Sequence, residues 1–121
     1  DADLHDSVAA IEHATGAPPA RLYTAYAAAA DDRVRAVVAA AGYLPVAWKV
    51  PANDYGPDAT ADAVYARVMD NIYDGAIVEL HLDGPASAVS TGEALPWIIG
   101  DLRQRGYTFV TIPDMIRTCD E

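Results

Sequence analysis

The sequence of 121 residues is poor in cysteine and contains no long apolar run. Cys119 is its single cysteine, so an intrachain disulfide is excluded, and no CxxC pair is available for zinc or redox chemistry. No apolar run approaches the ~18 residues that a membrane-spanning helix needs. The chain opens on Asp1 without an initiating methionine or a signal-like segment, so we expect its start to be a cut end.

Basic residues are also scarce. Eight lysines and arginines stand against eighteen acids, which gives a net charge of −10. This charge works against long-range attraction to phosphate backbones or anionic membrane surfaces, so we predict no nucleic-acid partner. In contrast, 52% of the residues are hydrophobic. That fraction is enough to build a packed core in one domain, for which roughly 100 to 200 residues are usual.

Patterns typical of helices alternate along the chain with short apolar segments. The predicted strands are "ARLYTAY", "YLPVAW", "AIVELHLDG" and "YTFVTI". The predicted helices run from Asp1 or Asp3 to Thr15, Asp31 to Gly42, Thr60 to Ile72, Ser90 (with Glu93 as a capping box) to Gly106, and onward from Pro113. This alternation predicts an α/β fold of parallel βα units, in which chemistry gathers at the carboxyl ends of the strands.

The segment "AIVELHLDG" places two ionisable residues in an apolar strand. Because side chains alternate along a strand, Glu79 and His81 share one face and Leu80 lies on the other. Burying both groups carries a desolvation cost unless they pair or reach a cavity. Taken alone, His81 is more simply a hydrogen-bonded structural residue, and Glu79 the partner of a basic group.

Asp54 offers His81 a partner. It follows "YLPVAWKVPAN", beyond the end of a neighbouring parallel strand. A carboxylate beside an imidazole raises the imidazole pKa and fixes its tautomer, which suits a general acid. The alternative is that Asp54 only shapes a turn, since "NDYG" has strong turn chemistry.

Arg21 stands where the first strand should begin, between prolines and two tyrosines, Tyr23 and Tyr26. Its guanidinium can orient a carboxylate, or it can lie on the surface and stack on a tyrosine. The sequence leaves both interpretations open.

The order of four segments resembles the C-terminal half of the polysaccharide deacetylase family, carbohydrate esterase family four. They are "IEHATGAPPARLYTAY", "AAAGYLPVAWKVPANDY", "DNIYDGAIVELHLDG" and "ALPWIIGDLRQRGYTFVTIPDMI". The last is the most specific, because it follows a strand that ends in Leu-His. The resemblance covers nearly the whole chain. It implies that residues 1–121 form the C-terminal part of a single domain, about half of a distorted (β/α) barrel.

The resemblance also implies a reaction. Proteins of this family remove acetyl groups from chitin, peptidoglycan, xylan or related polymers with a divalent metal such as zinc, which activates water. It makes His81 the general acid, with Asp54 tuning it and Arg21 holding the base. The implied substrate-binding residues are Leu80, which lines the acetyl pocket, Tyr55, which stands for the family's usual tryptophan, Tyr23 and Trp48.

The family's metal ligands and base belong to motifs that would lie upstream of residue 1. We therefore expect no metal ligand in this chain, no hydrolysis by it alone, and association with a missing N-terminal half or with a second copy. The substrate class implies an extracytoplasmic or secreted protein. Three positions depart from the family pattern: Arg21 is followed by "LYTA" instead of prolines, Glu79 replaces an aliphatic residue, and Pro51 replaces an acid.

Two rival interpretations remain. One is a non-catalytic relative that binds glycan or a partner protein through the same cleft, as the altered "RLYTAY" segment suggests. The other is a self-contained small α/β domain of unrelated function, which needs no missing half.

Overall fold

A computed structural model describes residues 2–25, 30–81 and 83–119. The chain divides into two compact units, Asp1–Ala47 and Trp48–Glu121. The helices are α1 (Ala2–Thr15), α2 (Asp32–Ala40), α3 (Ala61–Asn71), α4 (Pro85–Gln104) and α5 (Ile112–Cys119). The strands are β1 (Leu22–Tyr23), β2 (Leu44–Pro45), β3 (Val50–Pro51) and β4 (Val78–Glu79). They form two parallel pairs, which confirms the predicted α/β class.

In the first unit β1 pairs with β2, and Leu22 stands opposite Leu44. Helix α2 begins where the sequence predicts, because the Asp31 carboxylate accepts the backbone N–H of Val34 at 2.8 Å. Gly42 has a φ of 80°, a conformation open to glycine at little cost, and it follows the end of the helix.

In the second unit β3 pairs with β4, with Val50 opposite Val78 and Pro51 opposite Glu79. Helix α3 begins after Thr60, whose hydroxyl oxygen accepts the N–H of Ala63. It packs against α4. The buried apolar side chains between these elements are Ala52, Ala61, Val64, Val68, Met69, Ala94, Ile98 and Leu102. Full burial of a valine stabilises the fold by about 1.5 to 3 kcal/mol, so this cluster anchors β3 and β4 on the two helices.

Helix α4 starts six residues earlier than the sequence predicts. Its N-cap is Gly84 and its first residue is Pro85, whose fixed φ suits a helix start. The buried Ser87 hydroxyl accepts the Gly84 N–H at 3.1 Å, whereas the predicted cap residue, Ser90, is buried inside the helix. The proposed Ser90–Glu93 capping box is therefore wrong. No helix in the described ranges has both the length and the apolar content to cross a bilayer.

Two strand predictions also need correction. "YLPVAW" is a strand only at Leu44–Pro45 (β2), and the next strand, β3, begins at Val50, beyond this segment. The predicted last strand, residues 107–112, is not among the four strands of the described ranges: residues 107–111 belong to no strand, and Ile112 is the first residue of α5. The Tyr107 N–H instead bonds to the Leu102 carbonyl at the end of α4. A strand exists only through a pairing partner, which a hydrophobic pattern cannot supply.

Candidate functional site

The second unit brings Asp54 and His81 together at the carboxyl ends of its two parallel strands. Asp54 follows β3 and His81 follows β4, so the parallel pairing delivers both to one edge. The Asp54 side chain is fully buried. Its Oδ1 lies 2.7 Å from His81 Nδ1, and its Oδ2 accepts the His81 backbone N–H at 2.6 Å. The predicted Asp54–His81 partnership is thus present, and it fixes both the ring and the backbone of His81.

A third hydrogen bond holds Asp54 from the helix side. The Thr91 hydroxyl of α4 donates to Asp54 Oδ2, and the Ser90 hydroxyl lies 3.5 Å from the Asp54 carbonyl oxygen. Burial by itself raises the pKa of Asp54, but the donors from His81 and Thr91 outweigh it and hold this pKa below its ordinary value. Asp54 is therefore a buried carboxylate that stays ionised.

Sequence reasoning missed Thr91. It is nearly fully buried, on the stripe that Ala94, Ile98 and Leu102 continue at helical spacing. A polar residue on an otherwise apolar helix stripe needs a hydrogen-bond partner, and this pattern is the signal by which the sequence alone could have pointed to Thr91.

The hydrogen bond with Asp54 raises the pKa of His81, and the nearby charges of Asp54, Glu79 and Asp83 add to this effect against a smaller effect of burial. An ionised carboxylate only accepts, so His81 Nδ1 donates to Asp54. Nε2 is the nitrogen left for other chemistry. About a third of the His81 side chain is exposed, so a ligand can reach it.

Glu79 lies on the Nε2 side of the imidazole. Its Oε1 is 3.6 Å from His81 Nε2, too long for a hydrogen bond but close enough for an ion pair with the protonated ring. The two residues share a face, as the alternation predicts, and they offset each other's charge. The basic group that the sequence predicts as the partner of Glu79 is therefore His81.

The other predicted residues of the second unit differ in their surroundings. The Tyr55 ring meets the His81 ring edge-on, with centroids 5.5 Å apart, and is two-thirds exposed. Leu80 packs against the apolar cluster between the helices, and Trp48 is half-buried shortly before β3. Substrate contacts by these three residues stay predictions.

Arg21 and Tyr23 belong to the first unit. The exposed Arg21 guanidinium lies over the Tyr43 ring, 5.7 Å from its centroid. This is the stacking on a tyrosine that the sequence left open. The tyrosine is Tyr43, and not one of the two that follow Arg21 in the sequence. Tyr23 is half-buried in β1, opposite Pro45. A catalytic role for Arg21 and a substrate contact by Tyr23 remain predictions. Tyr26 lies outside the described residues.

The described residues do not by themselves fit a metal centre. Among them, no three His, Cys, Asp or Glu side chains are grouped so that they could hold an ion. His81 Nδ1 is engaged by Asp54, and this leaves one ring nitrogen beside a single carboxylate. No catalytic step through a metal follows from these residues.

No protein-family model matches the chain. A curated relative, a peptidoglycan-N-acetylglucosamine deacetylase from Bacillus cereus, is 29% identical over 79 residues, which are 65% of this chain and 28% of that protein. Among solved structures, a family 4 acetyl xylan esterase from Clostridium thermocellum in complex with a cobalt ion has a TM-score of 0.83 at 30% identity. That similarity covers 94% of this chain and 53% of the esterase.

A pseudoenzyme of the same family, CE4, from Bacillus anthracis has a TM-score of 0.80 at 29% identity, over 93% of this chain and 37% of the pseudoenzyme. A mutant of that pseudoenzyme has restored enzymatic activity. The chain spans about half of the esterase's length and less of the other two relatives. These similarities confirm the predicted fold, in which parallel βα units form part of a (β/α) barrel.

Proposed function

The chain resembles the polysaccharide deacetylases of carbohydrate esterase family four in sequence and in fold, and from that premise we propose that it is the C-terminal part of such a catalytic domain. The proposed reaction is hydrolysis of an acetyl group, on nitrogen or on oxygen, from a polysaccharide. One observation supports this most: a buried, ionised Asp54 holds the ring and backbone of a ligand-accessible His81 at the ends of two parallel strands.

In this proposal His81 is the general acid. Asp54 accepts from Nδ1 and stabilises the imidazolium, so that the proton to be delivered resides on Nε2. When the bond between the acetyl carbon and the sugar breaks, Nε2 gives this proton to the leaving nitrogen or oxygen. Thr91 and the His81 backbone keep Asp54 in place and ionised during the transfer.

The proposed cofactor is a divalent metal, with zinc as the expected ion, held by residues outside this chain. Support comes from the cobalt ion in the acetyl xylan esterase relative. The proposed substrates are acetylated glycans of the kinds named for the relatives, peptidoglycan and xylan. Such polymers lie outside the cytoplasm, so we propose an extracytoplasmic location.

The test measures acetate release from acetylated chitooligosaccharides and acetylated xylooligosaccharides. The protein used includes the residues encoded before Asp1. We expect His81→Gln to lower kcat by about 10² to 10⁴, the usual contribution of a general acid. His13→Gln, at an exposed histidine on α1, is the matched control and should keep full activity. Equal activity of the His81→Gln variant, or of residues 1–121 alone, would contradict the proposal.

A second candidate is a non-catalytic relative that binds glycan or a partner protein. The similarity to the Bacillus anthracis pseudoenzyme favours it, together with Glu79 beside the proposed acid and Arg21 on Tyr43. In that case the protein with its upstream residues binds acetylated oligosaccharides in calorimetry and releases no acetate. Acetate release that depends on His81 would rule this candidate out.

A further inference from the structure

Glu79 is an ionisable neighbour of His81, close to Nε2, that the proposed reaction does not use. Its carboxylate lies 3.6 Å from Nε2, the nitrogen that delivers the proton, and Glu79 is the last residue of β4, two positions before His81. Glu79 is about one-quarter exposed at its side chain, so a bound ligand can reach it as well. Because 3.6 Å exceeds hydrogen-bond length, the Nε2 proton remains available to a leaving group while the carboxylate stays close.

The consequence depends on where positive charge goes when the proton moves. In an N-acetylated sugar, the proton passes from Nε2 to the leaving nitrogen, which becomes positively charged before the bond between nitrogen and the acetyl carbon breaks. That bond's electron pair then stays on nitrogen, and the amine departs. On proton transfer the positive charge moves by one hydrogen bond, so it stays within the field of Glu79 until the bond breaks and the neutral amine departs.

An O-acetylated sugar behaves differently. The leaving oxygen takes the proton as its bond to the acetyl carbon breaks, and it departs as a neutral alcohol. The positive charge that Glu79 stabilises on the imidazolium is then lost with nothing to replace it. A carboxylate here therefore adds to the barrier for esters and leaves the barrier for amides nearly unchanged.

We infer that Glu79 is a specificity-determining residue, which makes the site select N-acetylated over O-acetylated sugars. This inference rests on the proposed function and narrows its substrate class. The groups that face His81 are Asp54 after β3, Glu79 on β4, Asp83 after β4, and the Tyr55 ring. Asp54 engages Nδ1, and Tyr55 meets the ring edge-on, so Glu79 is the charged group whose contact with Nε2 the structure defines.

The experiment compares kcat/KM for N-acetylated chitooligosaccharides and O-acetylated xylooligosaccharides in the protein with its upstream residues. We expect Glu79→Gln to lower the ratio of amide to ester activity about fivefold, which is the upper range for a partly exposed ion pair. Glu79→Leu should change the ratio in the same direction. Asp74→Asn removes an exposed charge that is not among the groups acting on His81, and it is the matched control, for which the ratio should not change.

The outcomes separate this inference from the proposed function. If Glu79→Gln releases acetate with an unchanged ratio of amide to ester activity, including an equal loss on both substrates, the role of Glu79 is overturned. The deacetylase proposal would still stand. No acetate release from wild-type protein would overturn both. NMR titration of His81 gives a second readout: its pKa should fall in Glu79→Gln, and an unchanged pKa would contradict the ion pair.

Discussion

At the scale of single residues, Asp54 shows why a buried charge is tolerated here. Three donors reach its carboxylate: the His81 ring, the His81 backbone and the Thr91 hydroxyl. Each is a hydrogen bond to a charged group, and such a bond contributes about 1.5 to 3 kcal/mol to the stability of the fold. Because the donors come from His81, just after β4, and from α4, the same bonds that keep Asp54 ionised also join the end of β4 to α4 at the site.

The Asp54–His81 pair predicts a pH dependence of stability. The folded pKa of His81 is raised above 6.5, so its contribution is complete below that value and is lost as pH rises through the folded pKa. The folded pKa of Asp54 is lowered below 3.8, so its contribution is complete above that value and is lost as pH falls through the folded pKa. The pair therefore stabilises most between these two ordinary values.

Urea unfolding at about pH 5 and about pH 9 would measure this effect. Wild-type protein should lose stability between them, and Asp54→Asn should lose less, since its His81 no longer has the charged partner on Nδ1. The variant itself should be about 3 kcal/mol less stable near pH 5, since it disrupts a buried charged network. Asp74→Asn, at an exposed aspartate, should match the wild type. An identical pH profile in Asp54→Asn would show that the pair is not coupled to folding.

At the scale of elements, the start of α4 shows that a capping pattern in the sequence does not always form the cap in the structure. The sequence predicts a start at Ser90 with Glu93, whereas the helix follows Gly84 and has Pro85 as its first residue. Both are chemically reasonable, and the choice depends on where the buried face of the helix must begin. In the structure the helix begins at Pro85, and Thr91, which bonds to Asp54, lies in its second turn.

Substitution of the cap distinguishes the two starts. Ser87→Ala removes the acceptor of the Gly84 N–H and should lower the free energy of unfolding by about 1 kcal/mol. Glu93→Ala should have almost no effect on the free energy of unfolding, because Glu93 is a solvent-exposed residue in the middle of α4. Urea midpoints of the two variants provide the measurement. A larger loss in Glu93→Ala would restore the later start.

The other element boundaries differ in whether the sequence could predict them. Asp31 and Thr60 were predictable as helix starts, because each side chain bonds to a backbone N–H three residues ahead. The segment 107–111 was not, because its apolar pattern resembles a strand whether or not a partner is present. Phe109 and Val110 are half-exposed at this position.

At the scale of the whole molecule, exposed apolar side chains suggest association. We propose that the segment 107–111 contacts either a missing N-terminal part or a second copy of the chain, since a barrel closes only when its strands pair all round. Residues 1–121 by themselves should then self-associate at micromolar concentration.

Val110→Lys tests this surface by sedimentation velocity. It should shift residues 1–121 towards the monomer, because it places a charge on the apolar segment. Val89→Lys is the matched control, since Val89 is equally exposed but lies on α4, where a single apolar side chain is ordinary. A monomeric wild-type chain that unfolds cooperatively would instead favour a self-contained domain.

The sequence by itself determined the α/β class, the caps at Asp31 and Thr60, the shared face of Glu79 and His81, and the resemblance to a deacetylase family. These follow from local chemistry and from the periodicity of side chains. Only the tertiary structure decided that Asp54 meets His81, that Thr91 holds Asp54, and that Glu79 lies beside Nε2. Those contacts join residues up to 37 positions apart. They depend on strand register and helix packing, which no local pattern encodes.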